Sequence, residues 1–502
     1  MNLLRRLSLG GCLAAAICAA SAGGAAGQGT DLKPFRIPFE PPVGAQLNRM
    51  TDLRTGRVAV KGPDLRANQE FLRQYAKGLV FPVTVDTYYM LPEGGELKPR
   101  TAQQNFDSVL AELRSQLLIP RPDSDLARLQ LIQGDYVTEF GAALDEALAA
   151  VFNKPGLPPV MRVNAGRLLA EASRSGAPVH GKMIEAMLTN TYFKVNGKAV
   201  ETPPEVLLYA MRAAGNLLAA YDLALQNSPA AANHTLPVDD LIKLVTTLEG
   251  LVVNGPPVAD KTAPVTTDSS GTPITLPDPS APPPPAGAPA LPAAPAAKGL
   301  TPEQVRVVRY FRREAIRALA QVRFDTVGGR GGSADARPAY TLARVAANDV
   351  ALSLPATAQD AAEAVVGLAG MAPGPNLALS EYAAAIAVGI RSFAGPRLAS
   401  DEDKSLPWKM IAARLGAALQ TLKANAQTTP KLRTYLAPLT ALVDVAAADI
   451  VRPLSADAAG GVVRPTIDRL DNWIANNTPT DPARSLYTDS PKYKLTPRPL
   501  GQ

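Results

Sequence analysis

The sequence predicts a mostly α-helical protein whose two helical bodies are joined by a proline- and alanine-rich linker. Three observations support this prediction. Apolar residues recur every three or four positions on both sides of the linker, as on one face of an α-helix. Capping motifs precede several of these runs, and alanine-rich stretches favour helix over strand. The bodies are expected to be either irregular bundles or a short α-solenoid.

The linker is defined by its composition. Residues 256–300 contain 13 prolines and 10 alanines but only five charged side chains. Proline lacks a backbone donor and favours an extended chain, so this stretch is expected to be a disordered, semi-rigid spacer. It divides the protein into a first helical domain, 61–255, and a second helical domain, 301–478.

In the first domain, two runs of residues place their apolar side chains on one helical face. Residues 202–205, Thr-Pro-Pro-Glu, have the form of a capping box before the second run. Short strand signals, such as residues 79–85, are the exception to the helical pattern. The two faces consist of Val137, Phe140, Leu144, Leu148 and Val151, and of Leu207, Met211, Ala214, Leu218, Tyr221 and Leu225.

The second domain carries the same signals. Residues 301–304, Thr-Pro-Glu-Gln, form another predicted capping box, and helix starts are also predicted at 357–360 and 429–430. The alanine-rich stretches are residues 343–351, 356–369 and 383–387. A third apolar face consists of Leu432, Leu436, Leu439, Val443, Ala446 and Ile450.

Residues 1–26 have the three parts of a signal peptide. Two arginines at 5–6 precede a short apolar run, and small residues then allow cleavage after Ala22 or Ala26. The run is shorter than a membrane span, so we expect an exported protein of the periplasm or the medium without a transmembrane span. A partial twin-arginine motif and a lipoprotein-like box ending at Cys12 are weaker alternatives to ordinary export.

Signal cleavage has a chemical consequence, because the chain's two cysteines, Cys12 and Cys18, both lie in the signal. The mature protein then has no disulfide, thiol nucleophile or cysteine zinc site. Its 49 basic and 45 acidic side chains leave a net charge of +4, which does not indicate a dedicated nucleic-acid-binding protein. Residues 27–60 are expected to form an extended N-terminal arm, and residues 479–502 a flexible tail.

Three helical segments combine small residues at possible helix crossings with leucines near the end. They are residues 161–169, 210–218 and 311–319, and the first two are about 49 residues apart. These segments resemble one half of a HEAT-type helical repeat. The resemblance covers a few helices only, and it implies a scaffold whose surface binds other macromolecules, without naming a ligand.

Side chains that commonly carry catalysis are rare. The two histidines, His180 and His234, lie in different segments and outside any zinc-binding pattern, and His180 is expected to have a capping or surface role. The glycine-rich residues 328–332 lack the Lys-Ser or Lys-Thr of a phosphate-binding loop. The sequence therefore predicts no catalytic residue, no cofactor and no metal.

Acidic clusters are the other route to hydrolysis. The clusters at 123–125 and 401–403 could supply a general acid and a general base, with Trp408 or Trp473 as a sugar platform. Both clusters precede helical stretches, however, where acidic side chains simply complement the helix dipole. That structural interpretation is favoured.

One charge pattern stands out from the rest of the chain. Residues 306–344 contain nine arginines against three acids. Four of them recur at three- and four-residue steps and are predicted to form a stripe on one helical face, which could contact an anionic polymer or membrane surface. The alternative is a solvated face neutralised by acids from elsewhere in the fold. The stripe consists of Arg306, Arg309, Arg313 and Arg317.

Together these features predict an exported, non-enzymatic helical protein that acts in binding or as a structural component of a bacterial cell envelope. Its partner would be an envelope protein or an anionic polymer, and no nucleic acid. The alternative is a carboxylate-dependent hydrolase that acts on envelope polysaccharide. The ligand, the pathway and the oligomeric state stay open.

Overall fold

The computed structural model describes residues 37–38, 44–61, 63–85, 99–117, 134–195, 198–227, 232, 235–256, 300–328, 336–395, 408–451, 456–477 and 484–498. Within these residues the chain forms fifteen α-helices and one two-stranded antiparallel sheet. The predicted fold class, mostly α, is confirmed. The predicted signal peptide and most of the linker lie outside the described residues.

The described elements follow one another in a simple order. The helices before the linker are α1 Gly44–Thr55, α2 Leu65–Val80, α3 Pro99–Leu117, α4 Gly134–Phe152, α5 Pro159–Ala172, α6 Val179–Leu188, α7 Pro204–Asn227 and α8 Val238–Asn254. Strands β1 Lys194–Val195 and β2 Lys198–Ala199 pair between α6 and α7. The helices after the linker are α9 Pro302–Leu319, α10 Pro338–Ala346, α11 Ala358–Gly370, α12 Leu379–Ala394, α13 Trp408–Thr428, α14 Pro430–Val451 and α15 Ala456–Asn477.

The predicted apolar faces form the core. Phe140, Leu144 and Leu148 of α4 are fully buried, as are Met211 and Ala214 of α7. On α14 the described side chains of the predicted face are buried too, namely Leu432, Leu436 and Leu439. The 3.6-residue period therefore located the inward face of each of these helices.

One of the two predicted capping boxes is present, and the helix start predicted at 357–360 carries another. The Thr301 hydroxyl accepts a hydrogen bond from the Gln304 backbone N–H, and the Gln304 side chain accepts one from the Thr301 N–H. Residues 357–360 form the same reciprocal pair. The prediction at Thr202 is wrong, because its hydroxyl instead donates to the carbonyl of Met187 at the end of α6.

Two predictions near the N-terminus are also corrected. Part of the expected extended arm is helix α1, whose Met50 and Leu53 are buried one turn apart. Residues 79–85, expected as a short strand, are the end of α2 followed by a 3₁₀ turn, Phe81–Thr84. A short apolar run fits a buried helix end as well as a strand, which explains the second error.

Helix α9 joins the two parts of the chain. It packs against α7 and α8, which precede the linker, and against α11, which follows it. Polar contacts reinforce the junction, since the Ser353 N–H donates to the carbonyl of Val253 and the Arg337 N–H donates to Glu249. The linker therefore connects helices of one shared core, and the expectation of two separate bodies is corrected.

The segment 484–498, part of the expected flexible tail, lies against the helices. Tyr487 is 1% exposed, and the Arg337 guanidinium lies 4.3 Å from the centre of its ring and 5.0 Å from that of Tyr493. Arg337 also binds Asp489 at 3.1 Å. The prediction of a flexible tail is therefore wrong for this segment, because Arg337 contacts two of its aromatic rings and pairs with its Asp489.

In the described part of the chain, none of the helices combines the length and the apolar character that a membrane crossing requires.

The shared core predicts that the protein survives cleavage of its linker. We expect a chain cut at a protease site inserted between residues 257 and 299 to elute as one particle, because α7 and α8 remain packed against α9. Size-exclusion chromatography of the cut protein under native conditions measures this. Cut protein carrying Ala318→Asp, which places a charge where α9 meets α7, should separate. Two fragments that elute apart without this change would contradict the packing.

A half-buried carboxyl at the same junction predicts a pH dependence of stability. Burial raises the pKa of Glu249 to about 7 from 4.5, although the Arg337 N–H and the Thr341 hydroxyl favour the charged form. The folded protein thus holds a proton that the unfolded chain has already released. This contribution is full below about pH 4.5 and is lost as the pH rises through 7, by up to about 3 kcal/mol.

Urea unfolding of wild type and Glu249→Gln at pH 5 and pH 8 measures this effect. We expect the wild type to lose more stability than the variant over this interval. Equal losses in the two proteins would show that Glu249 titrates normally in the fold.

Candidate functional site

An open cleft of about 410 Å³ lies where helices from both sides of the linker meet. Its walls come from α3, α5 and α7, and from α9 with the residues just after it. A volume of this size lies within the range of small-molecule sites. The charged and polar lining residues are Arg167, Glu171, Tyr209, Arg212, Asn216, Glu314, Arg317 and Gln321.

Two glycines set the distances between the cleft helices. A Cβ at Gly215 of α7 would lie 3.1 Å from the Cα of Ala318 on α9. A Cβ at Gly166 of α5 would lie 2.8 Å from the Cβ of Tyr209. Because neither glycine has a side chain, α7 approaches α9 closely and Tyr209 packs directly against α5.

Glu314 anchors one wall of the cleft. It is 5% exposed and accepts from Arg212 Nε at 3.0 Å and from Arg317 Nη1 at 2.8 Å. Burial alone would raise the pKa of Glu314, but the two guanidinium groups outweigh it and hold the pKa below its ordinary value. The carboxylate is therefore charged and fully engaged at neutral pH.

Glu171 is engaged in the same way on the opposite wall. Its Oε1 accepts from Arg114 Nε at 2.7 Å and from Arg174 Nη1 at 2.9 Å. The two carboxylates that line the cleft thus each bind two arginines. Glu314, whose pKa is lowered, is unlike the protonated carboxyl that a general acid requires.

Arg167 differs from the other arginines of the cleft. Its guanidinium lies over the ring of Phe106 at 4.0 Å, and its Nη1 makes one long hydrogen bond, 3.5 Å, to Asn164 Oδ1. No carboxylate of the described residues lies within ion-pair distance of it. Burial, the main cause, and the nearby Arg212 lower its pKa. Arg167 is therefore a half-buried cation that lines an open cleft.

The four arginines of the predicted stripe do not form a free cationic surface. Arg313 binds Asp360 at 3.2 Å, and Arg317 binds Glu363 at 2.9 Å, both on α11. Arg306 is exposed, and the buried Nε of Arg309 has no hydrogen-bond partner among the described residues. Acids from elsewhere in the fold thus neutralise half of the stripe, and only Arg317 reaches the cleft.

His180 was expected to cap a helix or lie on the surface, and this is corrected. It lies in the first turn of α6, but its side chain is completely buried and its Nδ1 is 2.6 Å from Asp145 Oδ1 on α4. Asp145 is 35 residues away in sequence. The partner that draws His180 inward is therefore set by tertiary packing. His234 lies outside the described residues.

The features of the hydrolase alternative are not assembled in the part of the chain that the structure describes. Trp473 is 9% exposed and belongs to the core on α15. The acidic clusters at 123–125 and 401–403 and the side chain of Trp408 lie outside the described residues. Among the residues described, no group of three or more histidine, cysteine or acidic side chains is placed to hold a metal ion.

Sequence reasoning missed Arg167 and Arg212, although both lie in segments that it singled out for their helical-repeat character. Residues 161–169, 210–218 and 311–319 belong to α5, α7 and α9, the three helices that form most of the cleft. A signal was present, because each segment combines arginine with small residues at a helix crossing. The sequence does not show which faces of these three helices pack against one another.

Comparisons with known proteins do not assign this chain to a family. No protein-family model, no curated protein and no solved structure matches this chain. The resemblance of α5, α7 and α9 to half of a HEAT repeat therefore stays a prediction. Function has to be argued from the geometry of the cleft.

The two ion pairs of Glu314 predict that loss of its negative charge destabilises the fold. We expect Glu314→Gln to destabilise the fold by about 2 kcal/mol, because it leaves Arg212 without a carboxylate and Arg317 with Glu363 alone. The exposed pair Lys61–Asp135 is a matched control, and Asp135→Asn should change stability by less than about 1 kcal/mol. Urea unfolding of both variants measures the difference. Equal effects would contradict the importance of this junction.

Proposed function

We propose that the protein is an exported, non-enzymatic binding protein of the bacterial envelope, and that the cleft between α3, α5, α7 and α9 is its ligand site. One observation carries this proposal. Arg167 is a half-buried cation that lines an open cleft and has no carboxylate partner among the described residues. A buried charge is costly unless it is paired, so a bound anion would supply the missing partner.

The state of the two lining carboxylates favours binding over hydrolysis. A glycosidase needs one protonated carboxyl and one free carboxylate on either side of the bond that it cleaves. In this cleft both Glu171 and Glu314 are each held by two arginines. Their arrangement supports a role in positioning arginine side chains.

The proposal of export rests on the N-terminal sequence. The charged, apolar and small-residue regions of residues 1–26 are the parts of a secretory signal. A chain left without cysteine after cleavage relies on apolar burial, and the described residues form one large hydrophobic cluster across both sides of the linker.

Native mass spectrometry of the protein purified from the periplasm of a bacterial host tests the proposal. We expect the wild type to carry a bound small molecule that Arg167→Gln loses. Arg306→Gln, which removes the same charge from an exposed position, should retain it. The same spectra report the N-terminus, expected at Gly23 or Gly27.

Two results would contradict the proposal. A ligand lost from Arg306→Gln but kept by Arg167→Gln would place binding on the arginine stripe. Protein that stays in the cytoplasm with its first residues intact would contradict the proposed export to the envelope.

A further inference from the structure

We infer that the cleft binds an organic monocarboxylate, with its carboxylate on Arg167 and an apolar body along the cleft wall. This inference rests on the proposed function and names the ligand class of that site. Three features of the cleft carry it: the charge balance, the geometry around Arg167, and the chemistry of the opposite wall.

The charge balance favours a ligand with negative charge. The cleft is lined by three arginines and two glutamates. Both glutamates are already engaged, and Arg317 is bound by Glu314 and by Glu363. One positive charge, that of Arg167, thus stays uncompensated among the lining side chains. One carboxylate is enough to neutralise it.

The surroundings of Arg167 suit a planar anion. The Phe106 ring holds one face of the guanidinium at 4.0 Å, which fixes the plane of its five N–H donors. The hydrogen bond that Arg167 donates to Asn164 is long. A carboxylate matches the two parallel donors of a guanidinium edge, so it would bind Arg167 through both oxygens.

The charged neighbours of Arg167 also favour an added anion. Arg212 lies close enough to disfavour the charged form of Arg167, while Asp107 and Tyr209 favour it. Asp107 lies beyond ion-pair distance of Arg167 and accepts a hydrogen bond from Gln103. An anion between Arg167 and Arg212 would relieve the repulsion of the two cations.

Part of the cleft lining is apolar, which sets the other half of the ligand. The half-buried Leu110 of α3 offers the largest apolar side chain, with Ala170 of α5 also in the lining. A ligand with only a charged group would leave this surface against water. An acid that carries an aliphatic chain would bury it and gain hydrophobic free energy.

Isothermal titration calorimetry on the purified full chain tests the ligand class with four probes. Octanoate carries both features, octanamide lacks the charge, acetate lacks the apolar body, and inorganic phosphate is a different anion. We expect octanoate to bind at least about tenfold more tightly than each of the other three, since each lacks one favourable interaction.

Variants locate the site. Arg167→Gln should weaken octanoate binding by at least about tenfold, whereas Arg66→Gln, which removes an exposed arginine from α2, should leave it unchanged. Because Arg167 also packs on Phe106, Arg167→Lys is the second variant. It keeps the charge but loses the planar pair of donors, and it should weaken binding several-fold at an unchanged unfolding temperature. Leu110→Gln should weaken octanoate but not acetate.

Other outcomes overturn the inference. Equal affinity for octanoate and octanamide would show that the negative charge does not contribute to binding. Tighter binding of phosphate than of octanoate would show that the ligand is not a carboxylate with an apolar body. Unchanged octanoate affinity in both Arg167 variants would place the site elsewhere. If no probe binds while native mass spectrometry shows an Arg167-dependent ligand, the ligand class fails and the proposed function stands. If that ligand is not Arg167-dependent, the proposed function fails as well.

Discussion

The docking of α9 between α7, α8 and α11 is the contact on which the rest of the structure depends. Its apolar side, which includes Phe311, Ala315 and Ile316, is buried. Its Arg312 is completely buried as well, donating to the carbonyl of Leu354 and the hydroxyl of Ser353. A buried guanidinium that binds backbone oxygens is costly to expose without them, so α9 has one favourable position. If α9 did not pack there, the cleft would lack the side that α9 supplies.

A series of arginine–carboxylate pairs runs along the same row of helices. Arg162 of α5 binds Glu205 of α7, Arg212 of α7 binds Glu314 of α9, and Arg317 of α9 binds Glu363 of α11. Such half-buried pairs contribute little net stability, because desolvation offsets much of their attraction. They instead fix the position of each helix along its neighbour, because each pair joins one residue of a helix to one residue of the next. Arg167 lies within this series and has no carboxylate partner in the described part of the chain, which makes it the position where a proposed ligand would complete the pattern.

The parts of the fold that depend on local sequence were predictable, and those that depend on distant partners were not. Periodicity located the buried faces of α4 and α7, and capping motifs located the starts of α9 and α11. The same pattern showed arginines at helical spacing on α9, but not that acids about 45 residues further on would bind two of them. His180 illustrates the limit, because its burial depends on Asp145 of another helix. The candidate site was missed for the same reason: a cleft is a property of several helices together.

A crystal structure of the protein grown with octanoate tests this account most directly. The account predicts that α9 lies against α7 across the linker, and that electron density for a carboxylate lies within hydrogen-bond distance of the Arg167 guanidinium with its chain toward Leu110. A ligand bound elsewhere, or an α9 that packs away from α7 and leaves no cleft, would contradict it.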